Sequence, residues 1–302
     1  MPAINCRGMM IQNEAGYVQA EVAEDSNDRM SDLQELRAYI SDPYLVSELL
    51  ICLFYAGIAH FAPNKVFQLP LYERDIPYQV TANGDVILDQ YINQPLTDET
   101  IPDWLLIVLA MIIPLFIILV TGYISHIKYD LHSGVCSLFF ASASTMFITS
   151  FVKLFTGYLR PNFYSYCDFS EDTMTCGSES EDPRKSFPSG HASSSFCSMT
   201  MLTLLFYGKV GLHREQRLTN STSSANAEYC KKRILSALSA LPMFLATFIA
   251  ASRVHDDRHH PADVVGGAVL GISCALFSYG LWYPSVHSPN AGYPLQAVFD
   301  PQ

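Results

Sequence analysis

Three short segments of the sequence concentrate side chains that can bind anions or transfer protons. Residues 153–161 are KLFTGYLRP, residues 188–191 are PSGH, and residues 252–263 are SRVHDDRHHPAD. The last segment alone holds three histidines and three aspartates beside Arg253. Each segment lies at the end of a long apolar run, and ionisable groups at a membrane boundary are costly and usually functional. A composite site for an anionic group is therefore the first hypothesis.

Lys153 and Arg160 are the cations of the first segment. They are seven positions apart, so they would share one helix face, two turns apart, if the helix continued to Arg160. Pro161 then disfavours further helix. Two long cationic side chains on one face could hold an anion. The alternative is that both are interfacial residues whose charged ends reach water at the end of a membrane helix.

The second segment stands where an apolar helix should begin. Gly190 permits another group to approach the backbone closely, and the free N–H groups of a helix N-terminus form a ready anion site. The alternative is an ordinary turn in which Ser189 caps the helix.

Spacing alone does not decide which histidine of the third segment acts. His259 and Asp263 are four positions apart, but so are Asp256 and His260, and also His255 and His259. A bound divalent metal is a second hypothesis, because histidine and aspartate are both metal ligands. It is weakened because the other two segments add only one such ligand, and because three nearby cations would repel a metal and attract an anion.

The distribution of apolar residues indicates the elements that position these segments. The chain has 302 residues, of which 49% are hydrophobic and only 16% charged, and its mean hydropathy is +0.16. This composition excludes a disordered chain, and the net charge of -11 excludes a protein that gathers nucleic acid by its overall charge. Six windows approach the ~20 residues that a helix needs to cross a bilayer. They are residues 44–62, 104–124, 133–155, 189–207, 234–251 and 264–282.

The placement of basic residues predicts the orientation of these six spans. The cluster KKR at 231–233 places the 208–233 loop in the cytoplasm, and an even number of spans puts both termini there too. Three connections then face outside or a lumen, and all three polar segments lie at span ends on that side. These connections are residues 63–103, 156–188 and 252–263.

Together, the three segments resemble the type 2 phosphatidic acid phosphatase (PAP2) superfamily, specifically its integral-membrane lipid phosphate phosphatases. They fit K-x6-RP, PSGH and SR-x5-H-x3-D in that order, and the resemblance covers roughly residues 100–283. It implies an all-α bundle of six transmembrane helices, of the PAP2 and haloperoxidase-like type, with the active site at the non-cytoplasmic face. We expect this domain at residues 44–283, between a flexible acidic cytoplasmic tail at 1–43 and a cytoplasmic tail at 284–302.

The resemblance also implies residue roles. His259 would be the nucleophile that forms a phosphohistidine, and Asp263 would accept a hydrogen bond from its other ring nitrogen. His191 would protonate the leaving alkoxide and later take a proton from water. Fixed cations would replace Mg²⁺, so no metal and no other cofactor is expected. The expected phosphate-binding groups are Lys153, Arg160, Arg253, Ser189 and the backbone N–H of Gly190.

The reaction that the resemblance implies is Mg²⁺-independent hydrolysis of phosphatidic acid to diacylglycerol and phosphate. Lysophosphatidic acid, diacylglycerol pyrophosphate and sphingoid phosphates stay open as substrates, since the motifs bind phosphate and say little about acyl chains. Two alternatives stay open: an enzyme of the same superfamily that hydrolyses soluble phosphate esters or transfers phosphoryl groups, and a non-catalytic lipid-binding or transport relative.

The expected partner is a phospholipid in the plasma membrane or an endomembrane, not nucleic acid. Assembly into a homo-oligomer also stays open.

Two smaller features yield structural predictions. Cys167 and Cys176 share a connection in a compartment that permits oxidation, so a disulfide between them is a hypothesis. Gly267 and Gly271 form a GxxxG pattern, which favours close helix packing inside the bundle over dimerisation.

Overall fold

The computed structural model of the chain describes residues 42–61, 70–178, 180–211 and 222–299. The expected acidic tail, up to residue 41, lies outside these ranges. The described chain is mostly helical, with two short antiparallel hairpins. Its helices are α1 (Pro43–Phe61), α2 (Asp103–Ser125, π-helical over Val108–Ile112), α3 (Asp130–Thr156), α4 (Phe163–Cys167), α5 (Gly190–Val210), α6 (Thr222–Leu238), α7 (Leu241–His255), α8 (Pro261–Trp282) and α9 (Leu295–Phe299).

A helix occupies each of the six windows in which the sequence predicts a span. Four helical stretches in the described residues are long and apolar enough to cross a membrane: α2, α3, residues Tyr229–His255 across the α6–α7 turn, and α8. Helix α1 is apolar but shorter. Helix α5 has 21 residues but is not among the four, because serines and threonines interrupt its apolar run. The fold is therefore helical with four candidate membrane spans.

Helix α5 packs against α3, α7 and α8 and carries many of the buried residues of the main core. The two glycines of the GxxxG pattern permit a close approach between α8 and α5. A Cβ atom on Gly267 would lie 2.6 Å from the carbonyl oxygen of Ser189, and one on Gly271 would overlap the carbonyl of Ser193. The prediction that GxxxG packs helices within the bundle is confirmed.

Helix α3 ends before Arg160. Gly157 adopts a left-handed conformation with φ of 51°, and a side chain there would overlap the carbonyl of Tyr72. Tyr72 in turn donates its backbone N–H to the carbonyl of Leu154 at 2.9 Å, so residues near 72 cover the end of the helix. The condition under which Lys153 and Arg160 would share one helix face, a helix that continues to Arg160, is thus not met. Arg160 reaches the site from an irregular segment.

Two small hairpins and a short helix cover the same end of the bundle. Strands β1 (Tyr78–Val80) and β2 (Val86–Leu88) pair with Tyr78 opposite Leu88, and β3 (Phe169–Ser170) pairs with β4 (Thr175–Cys176). Cys167 and Cys176 form a disulfide, with Cα atoms 5.1 Å apart, which confirms that hypothesis. A second apolar cluster binds these loops together; its buried members are Ile92, Leu159, Phe163, Tyr164 and Cys167.

The described part of the C-terminal segment, up to residue 299, packs against the opposite end of the bundle. Gln296 donates to the carboxylate of Glu48 on α1 at 3.2 Å, and Ala291 is fully buried. Gly292 has a φ of 83° and lies against the backbone of Gly208 near the end of α5. The segment expected as a cytoplasmic tail therefore contributes contacts to the fold.

Candidate active site

The start of helix α8 brings one histidine and one aspartate together. His260 is the N-cap, and its backbone N–H donates to Oδ2 of Asp263 at 2.9 Å, which is the reciprocal bond of a capping box. His259 lies directly before the cap, with Nδ1 3.7 Å from the same Asp263 oxygen. Of the three histidine pairs that spacing left open, the structure therefore favours His259 and Asp263. Both side chains are buried.

A serine completes this buried pair. The hydroxyl of Ser186 donates to Oδ2 of Asp263 at 2.6 Å and lies 3.5 Å from Nδ1 of His259. Ser186 is fully buried. The sequence prediction missed it, although it stands two residues before Pro188, the first residue of the PSGH segment.

Helix α5 begins at Gly190, as the sequence predicts. The hydroxyl of Ser189 accepts from the N–H of Ala192 at 3.4 Å, so it caps the helix. The backbone N–H of Ser189 donates to the carbonyl of Asp263 at 3.0 Å, which fastens the start of α5 to the start of α8. The ammonium of Lys153 lies 4.0 Å from the point that a Cβ on Gly190 would occupy. The Lys153 ammonium, Gly190 and the N-terminus of α5 thus lie close together.

Lys153 and Arg160 both have protein acceptors. The Lys153 ammonium donates to the carbonyl of Lys185 at 2.9 Å. The Arg160 guanidinium contacts Asp182 twice: Nε donates to its carbonyl at 3.0 Å, and a terminal nitrogen lies 2.9 Å from its carboxylate. Arg160 also approaches the carbonyl of Arg258 at 3.4 Å, which places it beside the His259 loop.

Arg253 and His191 meet at one backbone carbonyl. A terminal nitrogen of Arg253 donates to the carbonyl of Ile101 at 2.9 Å, and Nε2 of His191 lies 2.9 Å from the same oxygen. The other terminal nitrogen of Arg253 lies 3.2 Å from the carboxylate of Glu99. Sequence reasoning missed Glu99 and Ile101, because they lie in a long connection without a motif.

His259 lies in a strongly positive environment. Burial lowers its pKa well below the usual value for histidine, and the charges of Arg160, Lys153 and Arg253 lower it further. At neutral pH the imidazole is therefore uncharged and keeps a lone pair. This set of neighbours also means that the three polar segments converge, as the sequence predicts.

The other acidic and histidine side chains of the third segment serve different contacts. Asp256 accepts from the N–H and the hydroxyl of Thr100 at 2.8 and 2.7 Å. His260 stacks on Tyr91, with ring centroids 4.4 Å apart, and His255 is exposed. Within the described ranges, no three His, Cys, Asp or Glu side chains gather as a metal-binding group.

An open cavity of about 480 Å³ reaches the buried histidine. His259 and His260 form part of its wall, together with Tyr91 and Pro161. This opening connects the His259 loop with the exterior of the bundle.

Comparisons with known proteins identify relatives of this chain. A family model described as PAP2 superfamily matches residues 134–293. The chain is 34% identical over 229 residues to "Lipid phosphate phosphatase 1" of Arabidopsis thaliana, covering 72% of this chain and 65% of that protein. It is 30% identical to "Lipid phosphate phosphatase 2" of the same plant, covering 72% and 73%. It is also 30% identical to "Diacylglycerol pyrophosphate phosphatase 1" of Saccharomyces cerevisiae, covering 69% and 74%. No solved structure matches the chain.

Proposed function

This chain belongs to the PAP2 superfamily, and from that premise we propose that it is a lipid phosphate phosphatase whose nucleophile is His259. It is an integral membrane protein and a phosphatase. The observation that carries the proposal is that His259 is buried beside Asp263 and that burial and the charges of three cations hold the pKa of His259 low. A neutral imidazole can attack phosphorus, and the cations attract the phosphoryl group that it attacks.

The proposed reaction has two steps. Nδ1 of His259 faces Asp263, so Nε2 carries the lone pair that attacks phosphorus while the bond from phosphorus to the lipid oxygen breaks. His191 gives its proton to the leaving alkoxide. In the second step water attacks the phosphohistidine, His191 takes the proton of that water, and phosphate leaves. Asp263 stabilises the tautomer throughout.

The proposed charge stabilisation comes from fixed groups of the protein. Lys153, Arg160 and Arg253 would bind the phosphoryl oxygens, with Ser189 and the N–H of Gly190 at the helix start. Their closeness to His259 and to one another supports this assignment. Because these charges do the work that Mg²⁺ does in other phosphoryl transfers, the reaction should proceed without a divalent metal.

The substrate we propose is a phosphomonoester lipid, with phosphatidic acid first. Its headgroup can reach the cations at the membrane edge while its acyl chains remain in hydrocarbon. Two relatives are named lipid phosphate phosphatases and one a diacylglycerol pyrophosphate phosphatase, which supports this class. Lysophosphatidic acid, diacylglycerol pyrophosphate and sphingoid phosphates belong to the same proposal.

We also propose the topology that the sequence predicts. Residues 44–283 would form a domain of six spans, with both termini in the cytoplasm and the site facing outside or a lumen. The basic cluster at 231–233 and helices in all six windows support it. Plasma membrane and endomembrane both fit this arrangement.

The test is phosphate release from phosphatidic acid vesicles by purified protein in EDTA. Wild type should be active, and the His259→Ala variant should lose at least about 10³-fold in kcat, because the covalent route is removed. His255→Ala is the matched control, since His255 is exposed and four residues away. EDTA-resistant release that persists in His259→Ala would overturn the mechanism. Release from a sugar phosphate but not from the lipid would instead indicate a phosphatase of soluble esters.

A further inference from the structure

Residues 97–101, which we call the strap, lie directly on the His259 loop. The hydroxyl of Thr97 donates to the carbonyl of Asp256 at 2.7 Å. Thr100 donates twice to the carboxylate of Asp256, through its N–H at 2.8 Å and its hydroxyl at 2.7 Å. Asp256 is almost fully buried, so the two ends of the strap are firmly attached.

Between these attachments the strap presents an anionic group to two arginines. The Glu99 carboxylate lies 3.2 Å from a terminal nitrogen of Arg253 and 3.4 Å from one of Arg258. Two residues later, the carbonyl of Ile101 accepts from Arg253 and holds Nε2 of His191. The strap therefore supplies acceptors to Arg253, which is proposed to bind phosphate, and to His191, the proposed proton donor.

The two arginines still have capacity for further acceptors. The Nε atoms of Arg253 and Arg258 are buried, and neither has a hydrogen-bond partner among the described residues. Buried donors without a partner are uncommon in folded proteins. A carboxylate offers two oxygens, whereas a terminal phosphoryl group offers three with up to twice the charge. A phosphate at this position could bind more of these donors than Glu99 does.

Exposure distinguishes Glu99 from the acid that holds the strap. About 30% of the Glu99 side chain is exposed, against 3% for Asp256. Glu99 can therefore turn into water when another anion binds the arginines, while Asp256 keeps the strap attached.

We propose that Glu99 is a resident anion which the substrate phosphate must displace from Arg253 and Arg258, so that Glu99 sets the affinity and charge selectivity of the site. This inference rests on the proposed function, because it assigns Arg253 to phosphate. Glu99 weakens the binding of every anion, and monoanions compete with it less well than a dianionic phosphate does. If Glu99 instead merely orients Arg253, removing its charge should weaken the binding of phosphate rather than tighten it.

The experiment compares Glu99→Gln with Asp98→Asn in the purified full-length protein. Both variants remove one acid from adjacent positions, but Asp98 is exposed and has no ion pair among the described contacts. For Glu99→Gln we expect inhibition by inorganic phosphate to tighten about three- to tenfold and KM for phosphatidic acid to fall by a similar factor. Glu99→Asp keeps the charge on a shorter side chain and should lie between wild type and Glu99→Gln. Asp98→Asn should match wild type.

Direct binding of inorganic phosphate, followed by calorimetry, makes the test independent of turnover. Tighter binding to Glu99→Gln than to Asp98→Asn supports the inference. Equal or weaker binding, with kcat reduced and KM unchanged, overturns it and makes Glu99 a support for Arg253. A wild-type protein that binds phosphate but releases none from any lipid phosphate would contradict the proposed function. The inference about Glu99 would then be decided by the phosphate-binding comparison alone.

Discussion

The two ends of the helix bundle each bury ionisable side chains, but they differ in how these groups are partnered. Asp130, at the start of α3, accepts from Lys209 near the end of α5, from Ser125 at 2.7 Å, and from Tyr283 at 3.1 Å. Asp130 and Lys153 stand at opposite ends of α3, 23 residues apart, so this cluster lies about 35 Å along the helix axis from the site. We call this end the inner end and the site the outer end.

Glu48, also at the inner end, likewise has several side-chain hydrogen-bond partners. Its carboxylate oxygens accept from Trp282 at 2.7 Å, lie 2.9 Å from His132, and accept from Gln296 at 3.2 Å. These partners come from three different parts of the chain, on α8, on α3 and in the C-terminal segment. Each inner acid thus ties several elements together.

At the outer end, by contrast, some donors of the buried cations meet only backbone carbonyls. Lys153 donates to the carbonyl of Lys185, and Arg253 donates to that of Ile101. Both are acceptors that a phosphate oxygen can replace. Buried charge therefore does not by itself mark a functional site. Cation donors whose partners can be replaced distinguish the outer cluster from the inner one, where each acid keeps several side-chain partners.

The same substitution at the two ends tests this difference, and the larger effect is expected at the outer end. Lys153→Gln keeps a donor for the carbonyl of Lys185 but removes the positive charge beside Gly190. We expect kcat/KM for phosphatidic acid to fall by about 10²- to 10³-fold, because one preorganised charge is lost from the transition state. The melting temperature should stay within a few degrees of wild type. A folded Lys153→Gln variant with wild-type kcat/KM would contradict the assignment of Lys153 to phosphate.

At the inner end, Lys209→Gln should reduce stability and spare catalysis. The variant leaves the Asp130 side chain, only 1% exposed, without its cation. Removing one partner of a buried pair costs about 3 kcal/mol, and the partial exposure of Lys209 makes this an upper value here. Denaturant unfolding in detergent measures the loss, and phosphate release per folded molecule should equal that of wild type. Loss of specific activity without loss of stability would mean that the inner cluster serves catalysis after all.

The outer cluster was largely predictable from sequence because its parts follow local rules. Gly190 begins α5 and Asp263 stands at the third position of α8, so helix-start chemistry places both beside His259. The sequence left open whether α3 continues to Arg160, and the left-handed Gly157 ends the helix before it. Glu99 reaches Arg253 across 154 positions of sequence, and no local pattern predicts such a contact.

The sequence predicts six spans, and four helical stretches in the described residues are long and apolar enough to cross a membrane. Helix α5 falls short of an apolar span by composition, yet it is central to the core. Its serines bond back to its own backbone: Ser195 donates to the carbonyl of His191 at 2.7 Å, and Ser198 to that of Ser194 at 3.1 Å. Average hydropathy counts these hydroxyls as polar, although their hydrogen bonds are already made.

The smallest effect concerns Ser186, which donates to Asp263 beside His259. Ser186→Ala removes this bond and leaves more negative charge on the Asp263 oxygen that faces Nδ1 of His259. The pKa of His259, which burial and nearby cations hold well below its usual value, should therefore rise. Protonated His259 cannot attack phosphorus, so the acid limb of kcat against pH should move to higher pH, and kcat should fall at acidic pH while it stays close to wild type at neutral pH. Ser186→Thr keeps the hydroxyl and should restore both. An equal loss at every pH that threonine fails to restore would mean that Ser186 only fills space, like an inner-end residue.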